Sequence, residues 1–403
     1  MRRRVVVTGM GVIAAPGVGI AEFWNNVSCG VSAIRPITLV PAGALRFPNA
    51  AEVPEYRALD HFEEKTEDSL DRFAQFALIA AREAVRNANL EFGAALSERT
   101  AIVTGTATGG QSSEDEQFRE LYANSQTRVH PLTIARTMSN AGASAIAREF
   151  QIVGPSYTVS TACSSANHAI GQAFEMVRSG AVDVAIAGGS EAPFSLGLLK
   201  AWEAMRIVSP DTCRPFSRDR RGLILGEGAG MLVLETLESA VARGAHAWGE
   251  VAGFGMSSDA HHLTQPLADG AARAMRAAVT GAGTVPESID YINAHGTGTL
   301  ANDATESSAI HSVFGVHTKK LFVSSTKSMH GHALGAAGAL EAIATLCALR
   351  YGLIPPTANF TEADPACDLD AVPNTARIAS IEWALSNSFA FGGLNAVLAF
   401  RKV

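Results

Sequence analysis

Apolar positions in the chain come in short continuous runs, divided by glycine, serine and proline, with helically spaced stretches between them. Val5-Val6-Val7-Thr8 predicts a strand that ends in the turn Gly9-Met10-Gly11. The apolar spacing from Leu70 to Ala88 predicts a helix, and Ala101-Ile102-Val103 a strand closed by glycines. A helix over Ser139–Phe150 follows. The run Tyr157–Val159 then leads into Ser160-Thr161-Ala162-Cys163-Ser164-Ser165-Ala166 and a helical pattern at Ala169, Ile170, Ala173, Phe174 and Val177. Val182–Ala187 reads as a buried strand. Leu223–Leu234 reads as a long strand interrupted by Gly226-Glu227-Gly228-Ala229-Gly230.

From Trp248 the same vocabulary returns. Strands are predicted at Val251–Phe254, Ile289–Ala294, Leu321–Val323 and Ala396–Phe400, and helices at Ala271–Val279, Thr305–Phe314 and Leu334–Leu349. Alternating strands and helices predict mainly parallel sheets covered by helices. One β-α-β layout used twice divides the chain into residues 1–247 and 248–403. Residues 30–60, with Pro36, Pro41, Pro48 and Pro54, read as a surface excursion.

Composition narrows this picture. The 403 residues are 47% hydrophobic and 18% charged, which predicts a thick core with strands buried on both faces. The net charge of −7 gives no general basis for nucleic-acid binding. The longest apolar runs fall short of the ~20 residues of a membrane span. Five cysteines form no CxxC pair and no zinc spacing, and the basic amino terminus leads into a strand rather than a signal peptide; both point to a reducing cytoplasm.

Four polar stretches stand at predicted strand ends or in glycine-rich turns, the edge where sites form in α/β sheets. Cys163 lies at a helix start, where backbone N–H groups and the helix dipole favour a thiolate. The second stretch is His295-Gly296-Thr297-Gly298-Thr299. The third is Ser325-Thr326-Lys327-Ser328-Met329-His330-Gly331-His332, and the fourth Asn387–Asn395. A metal site lacks ligand spacing. Cys-His hydrolysis leaves a second histidine, a lysine and the threonines without a role. Carbon–carbon bond formation through a thioester fits better: a thiolate carries an acyl group while two neutral imidazoles donate to a second thioester as it becomes enolate-like.

These motifs, in this order and nearly end to end, resemble the elongating β-ketoacyl-[acyl carrier protein] synthases, condensing enzymes of the thiolase superfamily. The chain looks similar to the type II bacterial fatty-acid enzymes and their specialised relatives in nodulation-factor and polyene or polyketide pathways. A Cys-His-His set is similar to the decarboxylating elongation branch; the initiating branch has asparagine at the position of His332, and thiolases have a second cysteine. The resemblance implies duplicated β-α-β-α-β halves in a layered αβαβα arrangement. It implies that Cys163 takes an acyl chain from an acyl carrier protein, and that His295 and His332 hold the malonyl thioester oxygen and promote decarboxylation. Lys327 would orient the histidines. The N–H groups of Cys163 and Phe391 would form the oxyanion hole, with Phe391 also the gate. Thr297 and Thr299 would bind the pantetheine arm. His330 is not carried over. A structural cation, of unspecified charge, is implied near Asn293, Glu341, Ser386 and Asn387, and no redox or nucleotide cofactor. Such enzymes are dimers; a homodimer or a heterodimer with a ketosynthase-like chain-length subunit both fit, and a non-catalytic chain-length subunit is the alternative reading of the chain itself.

Three departures stand out. Ala390 and Leu394 replace the glycine and threonine usual in the gating loop, and alanine costs that loop freedom. Thr108 replaces a bulky apolar residue of the acyl pocket. Glu63-Glu64-Lys65-Thr66-Glu67-Asp68 is acidic where relatives are basic, so it either opposes docking of an acidic carrier or is simply a solvated helix start.

Overall fold

The computed structural model describes residues 3–403. Strands β1 (Val5–Ala14), β2 (Thr100–Gly105), β3 (Ser156–Val159), β4 (Val184–Glu191) and β5 (Gly228–Thr236) belong to the first half of the chain. Strands β6 (Gly249–Ser258), β7 (Tyr291–Asn293), β8 (Phe322–Ser324), β9 (Trp383–Ala390) and β10 (Leu394–Arg401) belong to the second. Their order in space is β8-β7-β9-β10-β6-β1-β5-β4-β2-β3. Counted within its own half, each set runs third, second, fourth, fifth, first. The sets meet where β1 pairs antiparallel with β6 over Val5–Val7 and Gly249–Val251. The fold is therefore a duplicated, thiolase-like α/β arrangement.

The expected mainly parallel sheet is corrected to a mixed one. β2 runs parallel to β3 and β4, and β7 to β8 and β9. β1 with β5, β4 with β5, β9 with β10, and β10 with β6 are antiparallel. A strand buried on both faces is mostly apolar in either direction, as β1 is apart from Thr8, so its pattern carries no direction.

Helices α1 (Arg72–Ala88), α2 (Ser165–Ser179), α3 (Ala268–Gly281), α4 (Leu300–Phe314) and α5 (Ala337–Tyr351) complete the layers. α1 packs against β1, β5 and β4, and α3 against β6 and β10, while α2 and α5 pack on each other and against strands of both sets. Every residue from Ala337 to Leu349 is buried, which explains why α5 is apolar on every face save for Glu341 and Thr345. Residues 334–351 form a helix long and apolar enough to cross a bilayer, but 89% of it is inside the protein.

Two expected elements change character. The Leu223–Leu234 run splits, with β5 beginning only at Gly228; Leu225 instead bridges His332. The Asn387–Asn395 loop is mostly strand: β9 and β10 form a hairpin whose last pair is Ala390 with Leu394, leaving Phe391-Gly392-Gly393 as its turn.

Candidate active site

β3 ends at Val159, and the chain turns sharply before α2. Ala162 takes a left-handed φ of 50°, rare without a glycine. Local polar contacts hold it: Thr161 N donates to Ser165 Oγ at 2.9 Å, and Ser164 Oγ to Thr161 O at 2.9 Å. Cys163 is thereby aimed into a cavity. Burial pushes its thiol up to about 11, although the Lys327 charge and the N–H groups of Phe391 and Cys163 itself pull it down. The thiolate expected at a helix start is therefore corrected to a thiol. The α-helix begins only at Ser165, after a 3-10 turn, and desolvation outweighs the donors. Both N–H groups act on the sulfur, and donors beside it that reached the oxygen of an acyl group carried there would form an oxyanion hole.

The loop after β7 presents His295. The N–H groups of His295 and Gly296 donate to the two oxygens of buried Glu306 at 2.9 and 2.8 Å. Asn387 Nδ2 donates to the same carboxylate at 3.1 Å. Lys327 is fully buried and paired with Glu341. Its Nζ lies 3.3 Å from His295 Nδ1. An ammonium only donates, so Nδ1 accepts and the ring proton sits on Nε2. His332 is pinned on both sides of its peptide: its N–H donates to Ile224 O at 2.6 Å, and Gly226 N donates to its carbonyl at 3.0 Å. The two imidazoles are 5.4 Å apart between centroids and nearly perpendicular, at 86°. Burial, then the Lys327 charge, holds both well below the ordinary histidine range. Each is a neutral ring with one N–H to donate.

A cavity of about 240 Å³ is lined by Cys163, His295, His332, Thr297, Thr299 and Phe391, among others. Lys327 lies behind this wall. The hydroxyls of Thr297 and Thr299 are 2.9 Å apart, and Thr299 also caps α4 by accepting from Asn302 N at 3.3 Å. Trp202 stacks on Phe391 at 6.2 Å. The hairpin tip is tied down, with Gly392 N donating to Leu263 O at 2.7 Å and Asp259 N to Gly393 O at 2.8 Å. Ala390 is a strand residue, and the special conformations fall on Gly392 and Gly393, at φ 83° and 70°.

Thr108 does not line this cavity. Its hydroxyl donates to Glu191 Oε1 at 2.8 Å. His330 is buried away from the cavity, 3.0 Å from Thr326 Oγ1. The acidic 63–68 stretch is an exposed helical turn, Glu64–Glu67, with Asp68 Oδ2 3.1 Å from His130 Nε2. For the expected cation, Glu341 Oε2, Ser386 Oγ and Asn387 Oδ1 are buried without a protein partner. All three are oxygens, the donor type a hard cation takes. Asn293 differs, because its side-chain amide is spent on Thr326 and the Glu341 carbonyl. Among the described residues no group of three or more His, Cys, Asp or Glu could hold a metal ion.

Sequence reasoning missed Glu306, Glu191, Trp202 and the Ile224–Gly226 support. Sequence pattern marks none of them: Glu306 lies in a polar helix beside Asn302 and Asp303, and Glu191 is the last residue of its strand.

The profiles described as "Beta-ketoacyl synthase, N-terminal domain" and "Beta-ketoacyl synthase, C-terminal domain" match residues 2–240 and 248–361. "Nodulation protein E" of Rhizobium sp. (strain N33) is 47% identical over 100% of both chains. "3-oxoacyl-[acyl-carrier-protein] synthase 2" of Staphylococcus aureus (strain COL) is 39% identical over 99% of this chain and 98% of its own. The solved structure titled "The ishigamide ketosynthase/chain length factor" superposes with a TM-score of 0.94 at 42% identity, covering 100% of each chain.

Proposed function

The chain belongs to the β-ketoacyl synthase family, and from that premise we propose which residues run its reaction, what delivers the substrate and which pathway it serves. It is an acyltransferase that joins an acyl-enzyme thioester to malonyl-acyl carrier protein, releasing CO2 and a 3-oxoacyl-carrier protein, in fatty-acid or polyketide elongation.

The observation that carries the assignment of roles is a single cavity holding Cys163, two neutral histidines and the N–H groups of Cys163 and Phe391. Cys163 Sγ attacks the acyl carbonyl of the incoming thioester. The carrier thiol leaves with the proton that the sulfur gives up. The malonyl thioester then sets its carbonyl oxygen against the N–H groups of His295 and His332. Loss of CO2 leaves an enolate held by those donors. Its carbon attacks the acyl-enzyme carbonyl, whose oxyanion rests on the N–H groups of Cys163 and Phe391. Collapse expels the Cys163 thiolate and completes the new carbon–carbon bond. Thr297 and Thr299, on the cavity wall, hold the pantetheine arm. A hard cation held by Glu341, Ser386 and Asn387 would supply positive charge beside the Lys327–Glu341 pair.

The donor of both thioesters is an acyl carrier protein. The partner subunit is a second copy or a ketosynthase-like chain-length subunit. Exposed Phe118, Tyr122 and Ile134, downstream of the Thr108 loop, support such a partner. All five cysteines are free, in keeping with a reducing cytoplasm. The higher identity to the nodulation protein than to the S. aureus synthase favours a specialised acyl chain. A purely chain-length-determining role is disfavoured by the intact Cys163, His295 and His332 set.

The deciding assay supplies saturated, unsaturated and aryl-primed acyl-carrier proteins with malonyl-carrier protein and reads products by mass spectrometry. Extension of unsaturated or functionalised chains is expected. Efficient extension of plain saturated chains alone would overturn the specialised reading, and unchanged product from an assembled complex carrying Cys163→Ala would overturn the catalytic one.

A further inference from the structure

At the carboxyl end of β4 the side chain of Glu191 is fully buried. Five donors converge on it. Thr106 Oγ1, Thr108 N and Thr108 Oγ1 reach Oε1 at 2.9, 3.2 and 2.8 Å. Ala107 N and Gly335 N reach Oε2 at 2.7 and 2.9 Å. The first four come from the loop after β2, and the fifth from the turn three residues beyond His332. That loop and that turn are in backbone contact: a Cβ on Gly335 would stand 2.3 Å from Ala107 N. The loop also touches the nucleophile turn, where Ser165 Oγ lies 3.2 Å from Thr106 O. Glu191 is close enough to Cys163 for its charge to push the thiol up.

We propose that Glu191 is a positioning residue of the condensation: by binding both the Thr106–Thr108 loop and Gly335, it sets where His332 stands relative to Cys163, and Thr108 acts through it. The inference rests on the reaction assigned above. Shape alone cannot replace the carboxylate. Each of its oxygens faces at least one backbone N–H, which can only donate. A glutamine in the same place must therefore turn its NH2 toward an N–H whichever way it flips.

The test measures two half-reactions separately: acylation of Cys163 by an acyl-carrier protein, and CO2 release from malonyl-carrier protein. Glu191→Gln is expected to lower kcat for CO2 release about 100-fold, as a displacement of about 1 Å can, with KM unchanged and acylation much less affected. Thr108→Val, which removes one donor only, is expected to cost CO2 release about 2- to 10-fold. In the double variant the two losses should not add, because Thr108 acts through Glu191. A Glu191→Gln protein equal to wild type, or one losing both half-reactions in proportion to a lowered Tm, overturns the proposal. Additive losses overturn the Thr108 link. If Glu191→Gln does not fold, Thr108→Val decides by itself: a loss in kcat for CO2 release at unchanged KM supports the proposal, and none overturns it. Wild-type protein that releases no CO2 would instead overturn the reaction assignment, so the two failures are distinguishable.

Discussion

The two halves place their chemistry at equivalent points of one repeated topology, yet they build it differently. In the first half the third strand, β3, runs into Cys163 and the central helix α2. In the second half the third strand, β8, runs into Lys327, His332 and the central helix α5. The first site is made of backbone: a left-handed Ala162, a 3-10 turn and N–H groups acting on sulfur. The second is made of buried charge: Lys327 between His295 and Glu341, with Glu306 holding the neighbouring loop. The second strands repeat the contrast. β2 leads to the uncharged Thr106–Thr108 loop, and β7 to His295. A nucleophile needs an exact direction, which dihedral angles supply. Stabilising an enolate needs donors that stay neutral, which burial, reinforced by a buried cation, enforces by depressing both imidazoles.

The largest effect should come from the backbone-built side. Cys163→Ala is expected to lower condensation on the order of 10⁴-fold or more in a product assay. Its thiol also gives that side a pH signature. Because the folded pKa is raised to about 11, the thiolate fraction is small at neutrality, and alkylation of Cys163 should accelerate about tenfold per pH unit until that range. A rate already at its plateau near pH 7 would restore the helix-terminus thiolate and blur the contrast between the halves.

Next comes the charge-built side. Lys327→Ala leaves Glu341 buried without its partner and should cost about 3–5 kcal/mol in denaturant unfolding. The lost cation no longer depresses His295 and His332. Their pKa values rise, and the acid limb of CO2 release moves to higher pH. An unmoved limb would mean that burial alone keeps the imidazoles neutral.

His332→Ala should reduce CO2 release by about 10²- to 10³-fold while Cys163 still accepts acyl groups. Equal loss of both half-reactions would break the division of labour between the halves. The smallest effect is expected at the hairpin tip. Gly392 keeps a φ of 83°, and a Cβ there would meet only Leu394, in ordinary contact at 3.9 Å, so Gly392→Ala should cost about 1–2 kcal/mol through conformation alone, read as a lowered Tm with the cavity chemistry intact.

Much of this was legible in the chain. Short apolar runs ending in glycine and polar residues located most of the strands, and the clustering of Cys163, His295 and His332 at strand ends named the cavity wall, with Lys327 behind it. The supports were not legible. Glu306 and Glu191 look like helix and strand residues until their partners, 144 residues away for Gly335 and Glu191, arrive. Ile224 and Gly226, which pin His332, read as part of a strand.

By itself the sequence determined which residues could do chemistry and which segments had to be buried, because residue type and periodicity are local properties. Only the tertiary structure decided the direction of the strands, the thiol state of Cys163, the tautomer of His295 and the tie between Thr108 and Glu191. Each of these depends on distance and desolvation between segments far apart in the chain, and a pattern along one strand or helix carries neither.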